Sequence, residues 1–175
     1  VILEAVQEAQ ARLLHEQQRR KPIEFDIELI CVDDSPSAIE YLRYVLEDQG
    51  YGDKLRNGSV QTLIGNFVHL ADKVIAEAGC RSPRAGRAIF VLDQYGYDKV
   101  PLSTLHQIFS KLKRAEVILT FNVDSLINFL CEKNLLDFER KTGIRGVATA
   151  ADLDKETRSP YWRLNVQANL YQSIT

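Results

Sequence analysis

The sequence has no run of about 18 apolar residues and no basic stretch leading into an apolar one at its start. Neither a membrane-spanning helix nor a secretory signal is therefore expected, and the chain reads as a soluble protein of the cytoplasm with no membrane partner. Cysteine is scarce. Cys31, Cys80 and Cys131 are odd in number and far apart, unlike a disulfide scaffold or the paired spacing of a zinc site, which fits a reducing compartment. His15, His69 and His106 fall in separate helical stretches, so no metal is expected. Neither sign of charge dominates: 22 Lys and Arg stand against 24 Asp and Glu. The totals thus give no general attraction to nucleic acid, although a local patch or another subunit can supply one. Internal repeats and low-complexity segments are absent, and so is an initiating methionine. The chain opens at Val1 in helical text, and it is expected to belong to a longer protein.

What is present is ordinary globular composition, 45% apolar and 26% charged, enough for a real core. Helix formers run from Val1 to about Arg20, and Pro22 ends them. "FDIELICVDD" predicts a strand from Phe25 to Val32, followed by a helix from Ser37 to Asp48 that ends in "QGYG". A second strand, Val60 to Ile64, precedes a helix from about Val68 to Ala78. "RAIFVLD" predicts a third strand, and "PLSTLHQIFSKLKR" a helix with Pro101 near its first turn. "AEVILTF" is a fourth strand, Glu116 to Phe121, with a helical run from Val123 to Glu132 after it. Apolar strands alternating with helices imply an α/β fold, a parallel sheet covered on both faces. The expected division is an α/β domain over residues 1–135 and a C-terminal extension of loops and short helices over 136–175.

The carboxyl ends of parallel strands are where open α/β sheets hold ligands. Asp33 and Asp34 end the first strand, Gly65, Asn66 and Phe67 the second, Asp93, Gln94, Tyr95, Gly96 and Tyr97 the third, and Thr120, Phe121 and Asn122 the fourth. A carboxylate at such a point accepts two hydrogen bonds from a ribose diol, and an Asn reads an adenine edge. Asp93 and Gln94 are suited to an acceptor's amino group, with Tyr95 or Tyr97 stacking on a flat substrate. The same residue types also serve as helix caps, Asp33, Asp34 and Asn66 especially.

"CVDDSPSAIEYLRYVLEDQGY" resembles the opening of a response-regulator receiver domain. That resemblance would make Asp33 and Asp34 magnesium ligands and Asp93 a phosphorylation site. A whole extra strand–helix unit, Val60 to Ala78, separates the two motifs, and no lysine follows the next strand. A closer resemblance lies in "RAIFVLDQYGYDKVPLSTLHQIFSKLKRAEVILTFNVDSLINFL", residues 87 to 130. It resembles the three-Cys-motif partner protein family, whose members look like class I S-adenosylmethionine-dependent methyltransferases. "ELICVDDSP" and "VQTLIGNF" resemble the two preceding units, so the likeness covers about residues 25 to 132.

The resemblance implies a Rossmann-like class I methyltransferase fold, with its first strand and glycine-rich loop missing from this chain. Residues 1 to 20 resemble the helix that follows such a loop. The implied cofactor is S-adenosylmethionine, with Asp33 and Asp34 on its ribose, Asn66 at the adenine and Phe67 packed near the ring. Asp93, Gln94 and Tyr95 match the motif that holds a target nitrogen, which implies methyl transfer to an amino group of a nucleic-acid base or nucleotide-like acceptor. Gln94 stands where the more familiar form of the motif has a proline. The alternative is a catalytically inactive methyltransferase-like protein that works by binding a protein partner, in a phage or mobile-element setting.

Overall fold

The structure, a computed structural model, describes residues 2–16, 26–81, 87–156 and 159–174. Phe25, the expected start of the first strand, and residues 17–20 of the expected first helix lie outside these. The chain divides into two compact units, Val1–Gly65 and Asn66–Thr175.

The first unit contains α1 (Ile2–Glu16), β1 (Leu29–Asp33), α2 (Pro36–Asp48), α3 (Gly52–Arg56) and β2 (Val60–Ile64). Ser35 starts α2 by accepting the Ala38 amide at 3.3 Å, with Pro36 following in the first turn, where no amide is needed. Parallel pairing sets Leu29 opposite Val60 and Asp33 opposite Ile64. Leu3, Leu46 and Val60 form the buried centre, with Leu29, Leu42, Tyr51 and Leu55 packed around them. Leu3 is thus core, while its neighbour Ile2 is exposed. Helix α3 escapes sequence reading because five residues carry too little periodicity. It forms where Leu55 is drawn into this cluster.

The second unit contains α4 (Phe67–Arg81), β3 (Ala88–Asp93), α5 (Leu102–Lys111), β4 (Ala115–Thr120), α6 (Val123–Asn128), α7 (Glu132–Thr142), α8 (Ala150–Leu153) and α9 (Trp162–Ile174). β3 and β4 run parallel, Ala88 opposite Ala115 and Asp93 opposite Thr120. Phe90 and Leu92 are buried, and the Phe90 ring meets the edge of Phe67 from α4 at 6.4 Å between centroids. The run from Val123 to Glu132 is not one helix. It breaks at Phe129–Cys131, and Asn134 secures the break by donating to the Phe129 carbonyl at 2.7 Å. The core of this unit is Leu126, Phe138, Val147, Trp162, Val166 and Leu170 with their neighbours. Residues 136–175 therefore supply much of its buried surface.

The sheet departs from expectation. The strands form two separate two-stranded parallel sheets, β1 with β2 and β3 with β4; among the described residues no ladder joins them. The mostly parallel sheet of a Rossmann-like class I methyltransferase fold, with helices on both faces, is thereby corrected. On β3–β4 one face is bare: Ile89, Val91 and Ile118 are each more than half exposed. Strand–helix alternation requires each consecutive pair of strands to be parallel, because a crossover returns the chain to the same end. It does not determine whether one pair hydrogen-bonds to the next, which is a long-range choice.

Asp72 links α4 to α5 by accepting from Gln107 at 2.5 Å and from Lys111. The Lys111 hydrogen bond, then its charge, holds the Asp72 carboxyl below its usual value. A depressed carboxylate contributes stability above its unfolded pKa and loses it as pH falls through the folded one. Asp72→Asn is expected to lower stability slightly at neutral pH and to flatten the acid limb of the stability–pH curve, the variant and wild-type curves converging as pH falls below the ordinary carboxylate range. Chemical denaturation repeated across acid pH measures this, and an unaltered acid limb would refute it.

Candidate functional site

In the first unit the parallel register brings Asp33, Asp34 and Gly65 to the carboxyl end of β1–β2. Asp33 accepts the Ser35 amide on Oδ1 at 2.8 Å, and its carbonyl accepts the Gly65 amide at 2.9 Å. Gly65 has φ +146°, which favours glycine where the strand turns away. The Asp34 carboxylate is exposed. Both carboxylates reach solvent, and one Asp33 oxygen already shapes the turn into α2.

The other five candidate residues belong to the second unit. Asn66 accepts the Val68 amide on Oδ1 at 2.9 Å, the bond of a helix cap. Phe67 turns its ring onto Phe90 and is half-buried. Asp93 ends β3, exposed, opposite Thr120. Gln94 is only 8% exposed. Its Oε1 accepts two amides, Lys99 at 2.9 Å and Val100 at 3.1 Å, so it closes residues 94–100 into a compact loop. Its Nε2 is buried with no acceptor among the described residues. Tyr95 points outward at 99% exposure. Gly96, at φ +108°, lets the loop reverse, and its carbonyl accepts the Asn122 amide at 3.0 Å. Asp93 and Tyr95 are thus presented to solvent while Gln94, between them, holds the loop that presents them.

Tyr97 turns inward. Its ring lies 5.6 Å from Phe138 and 6.4 Å from Phe121, and Phe121 meets Phe138 edge-on at 6.3 Å. Beside this aromatic group lies a cleft of about 230 Å³ lined by Tyr97, Asp98, Phe129, Asn134, Asp137 and Lys141. Lys141 donates to Asp98 at 2.9 Å and to Asp137 at 3.0 Å. The Asp98 hydrogen bond first, then that of Asp137, raises the Lys141 ammonium above its usual value. The Lys141 and Arg140 bonds hold the Asp137 carboxyl low. A lysine so paired stays charged and is no nucleophile at neutral pH. The Asp137–Lys141 pair is legible at i,i+4 spacing. Asp98 is not, because 43 positions separate it from Lys141.

Among the described residues, no group of three or more His, Cys, Asp or Glu side chains is placed to hold a metal ion. No described helix is long and apolar enough to cross a membrane.

These observations define an α/β chain of two parallel strand pairs, each ending in an exposed aspartate and a polar turn. No family model matches the chain, and no curated protein or solved structure matches it either.

Proposed function

We propose that the protein binds S-adenosylmethionine and directs methyl transfer to an amino group of a nucleic-acid base or nucleotide-like acceptor. The observation that carries this reading is the carboxyl end of β1–β2 in the first unit, which closes on the exposed Asp33 and Asp34; β3–β4 of the second unit, taken by itself, closes on the exposed Asp93. The donor's chemistry, when bound, is an activated methyl on a sulfonium, which leaves the protein to position the nucleophile. Asp33 and Asp34 fit the ribose hydroxyls, since both present carboxylate oxygens to solvent. Phe67 does not fit as a cover for the adenine, because its ring is packed on Phe90. Asp93 orients the acceptor nitrogen, Tyr95 offers a free ring for stacking, and Gln94 positions both through the loop it closes. The cytoplasm is the proposed location, in keeping with Cys31, Cys80 and Cys131 all being free thiols.

Calorimetric titration of the full-length protein with S-adenosylmethionine tests the reading. Micromolar binding is expected, and Asp33→Ala should weaken it at least about tenfold, the equivalent of 1.4 kcal/mol. Absence of binding by folded protein would overturn the proposal.

A second reading has its own observation. Ile89, Val91 and Ile118 form an exposed apolar strip on β3–β4, of the kind that marks protein interaction sites. On this reading the protein binds a partner polypeptide through that strip and transfers nothing. Val91→Lys would then abolish partner capture and leave S-adenosylmethionine titrations unaffected.

A further inference from the structure

The second unit is basic although the chain as a whole is not. It carries 15 Lys and Arg against 12 Asp and Glu, whereas the first unit carries 7 against 12. Part of that excess is gathered at the amino-terminal end of β3–β4. Arg87 immediately precedes β3, and Lys113 and Arg114 immediately precede β4. The ladder opens with the Ala88 amide donating to the Arg114 carbonyl at 3.0 Å, Ala88 standing opposite Ala115. Arg87 and Arg114, far apart in the chain, are thereby set side by side on neighbouring strands whose backbones lie about 4.8 Å apart.

All three side chains are exposed, and among the described residues none of them enters an ion pair. Lys111, two positions before Lys113, is different: it is committed to Asp72, which Gln107 also holds. Glu116 is the nearest carboxylate on the two strands, opposite Ile89, and among the described residues it pairs with none of the three. Two guanidiniums held at adjacent positions without a counter-charge repel each other, and an anion between them removes that repulsion. The guanidinium fork matches a phosphate group through paired hydrogen bonds, and an ammonium such as that of Lys113 adds a point charge.

We infer that this end of β3–β4 holds the phosphate backbone of a nucleic-acid strand, with Arg87 and Arg114 on its phosphates and Lys113 beside them. The inference rests on the function proposed above for the identity of the partner, and it adds a second point of attachment. Asp93 and Thr120 close the opposite end of the same two strands, roughly 20 Å away at about 3.3 Å per residue. A nucleic-acid strand covers that length in about six stacked nucleotides, so the two ends together call for a strand and not for a single nucleotide. Phosphate contacts position a nucleic acid while base contacts select within it, which matches a cationic end paired with an acceptor end. The chain's overall acidity is no obstacle, because such contact depends on the local field.

Fluorescence anisotropy of a labelled single-stranded DNA of mixed sequence, titrated with the full-length protein and no S-adenosylmethionine, tests this. The logarithm of the binding constant should fall with the logarithm of salt at a slope of about −2, the value for three neutralised phosphates on a single strand. Arg87→Gln combined with Arg114→Gln should weaken binding at least about tenfold and bring the slope to about −0.7. Lys133→Gln combined with Lys155→Gln removes the same charge from exposed positions elsewhere in the unit and should change neither. All four side chains are exposed, so both variants should keep the wild-type circular dichroism and melting temperature. No binding at low salt, an equal loss in the two double variants, or tighter binding to vesicles of anionic phospholipid than to DNA would each overturn the inference. Failure of S-adenosylmethionine to bind, with the DNA results as expected, would overturn the donor site and not this one.

Discussion

Phe138→Ala is expected to cost about 3–5 kcal/mol, the range for removing a large aromatic side chain from a packed interior. Phe138 is 1% exposed and touches both other rings of the Tyr97–Phe121–Phe138 group. Truncation opens a void between the 97–98 turn, the end of β4 and α7, and three separate chain segments would have to move together to fill it. Domains of this size are commonly stable by about 5–15 kcal/mol, so the variant sits near the edge of folding. The chain's single tryptophan, Trp162, is buried in the same cluster and reports directly on its integrity. Urea unfolding followed by Trp162 fluorescence should show a large fall in midpoint. A loss below about 1 kcal/mol would mean that the aromatic group is not the keystone of the second unit.

Gln94→Ala is expected to cost about 2–4 kcal/mol, from two backbone amides left without their acceptor and a partly filled space. The amides of Lys99 and Val100 both lose Oε1. Local consequences follow as well. Residues 95–98 should loosen, and their looseness should reach Tyr97 and the edge of the cleft. Hydrogen exchange resolves this from a uniform loss of stability: the Lys99 and Val100 amides should exchange much faster in the variant, while those of β3 keep their ranking. Protection unchanged at both amides would remove the positioning role assigned to Gln94.

The two aromatic-rich segments show how far sequence reading reaches. "DQYGY" at the end of an apolar strand is legible as a turn that presents polar and aromatic groups. Asp93 and Tyr95 are indeed exposed there. What the string does not contain is direction. Gln94 reads as a hydrogen-bonding group facing a substrate, and it folds inward instead, because two amides five and six positions later need an acceptor. Tyr97 reads as a stacking surface and is half-buried against Phe121 and Phe138, partners supplied by later elements. Phe67 likewise is claimed by Phe90.

By itself the sequence determined the local grammar: four apolar strands, the helix cap at Asn66, the parallel sense within each consecutive pair, and the aspartates that close two of the strands. These depend on neighbours a few residues apart, where periodicity, capping and crossover length leave little choice. Tertiary structure alone decided that the strands form two separate pairs, that the helical run after β4 breaks in two, and that the last forty residues complete a core. It also decided which side of α9 is buried and which is left bare. Those outcomes turn on contacts between residues far apart in the chain, and a long-range contact is selected by the whole packed arrangement.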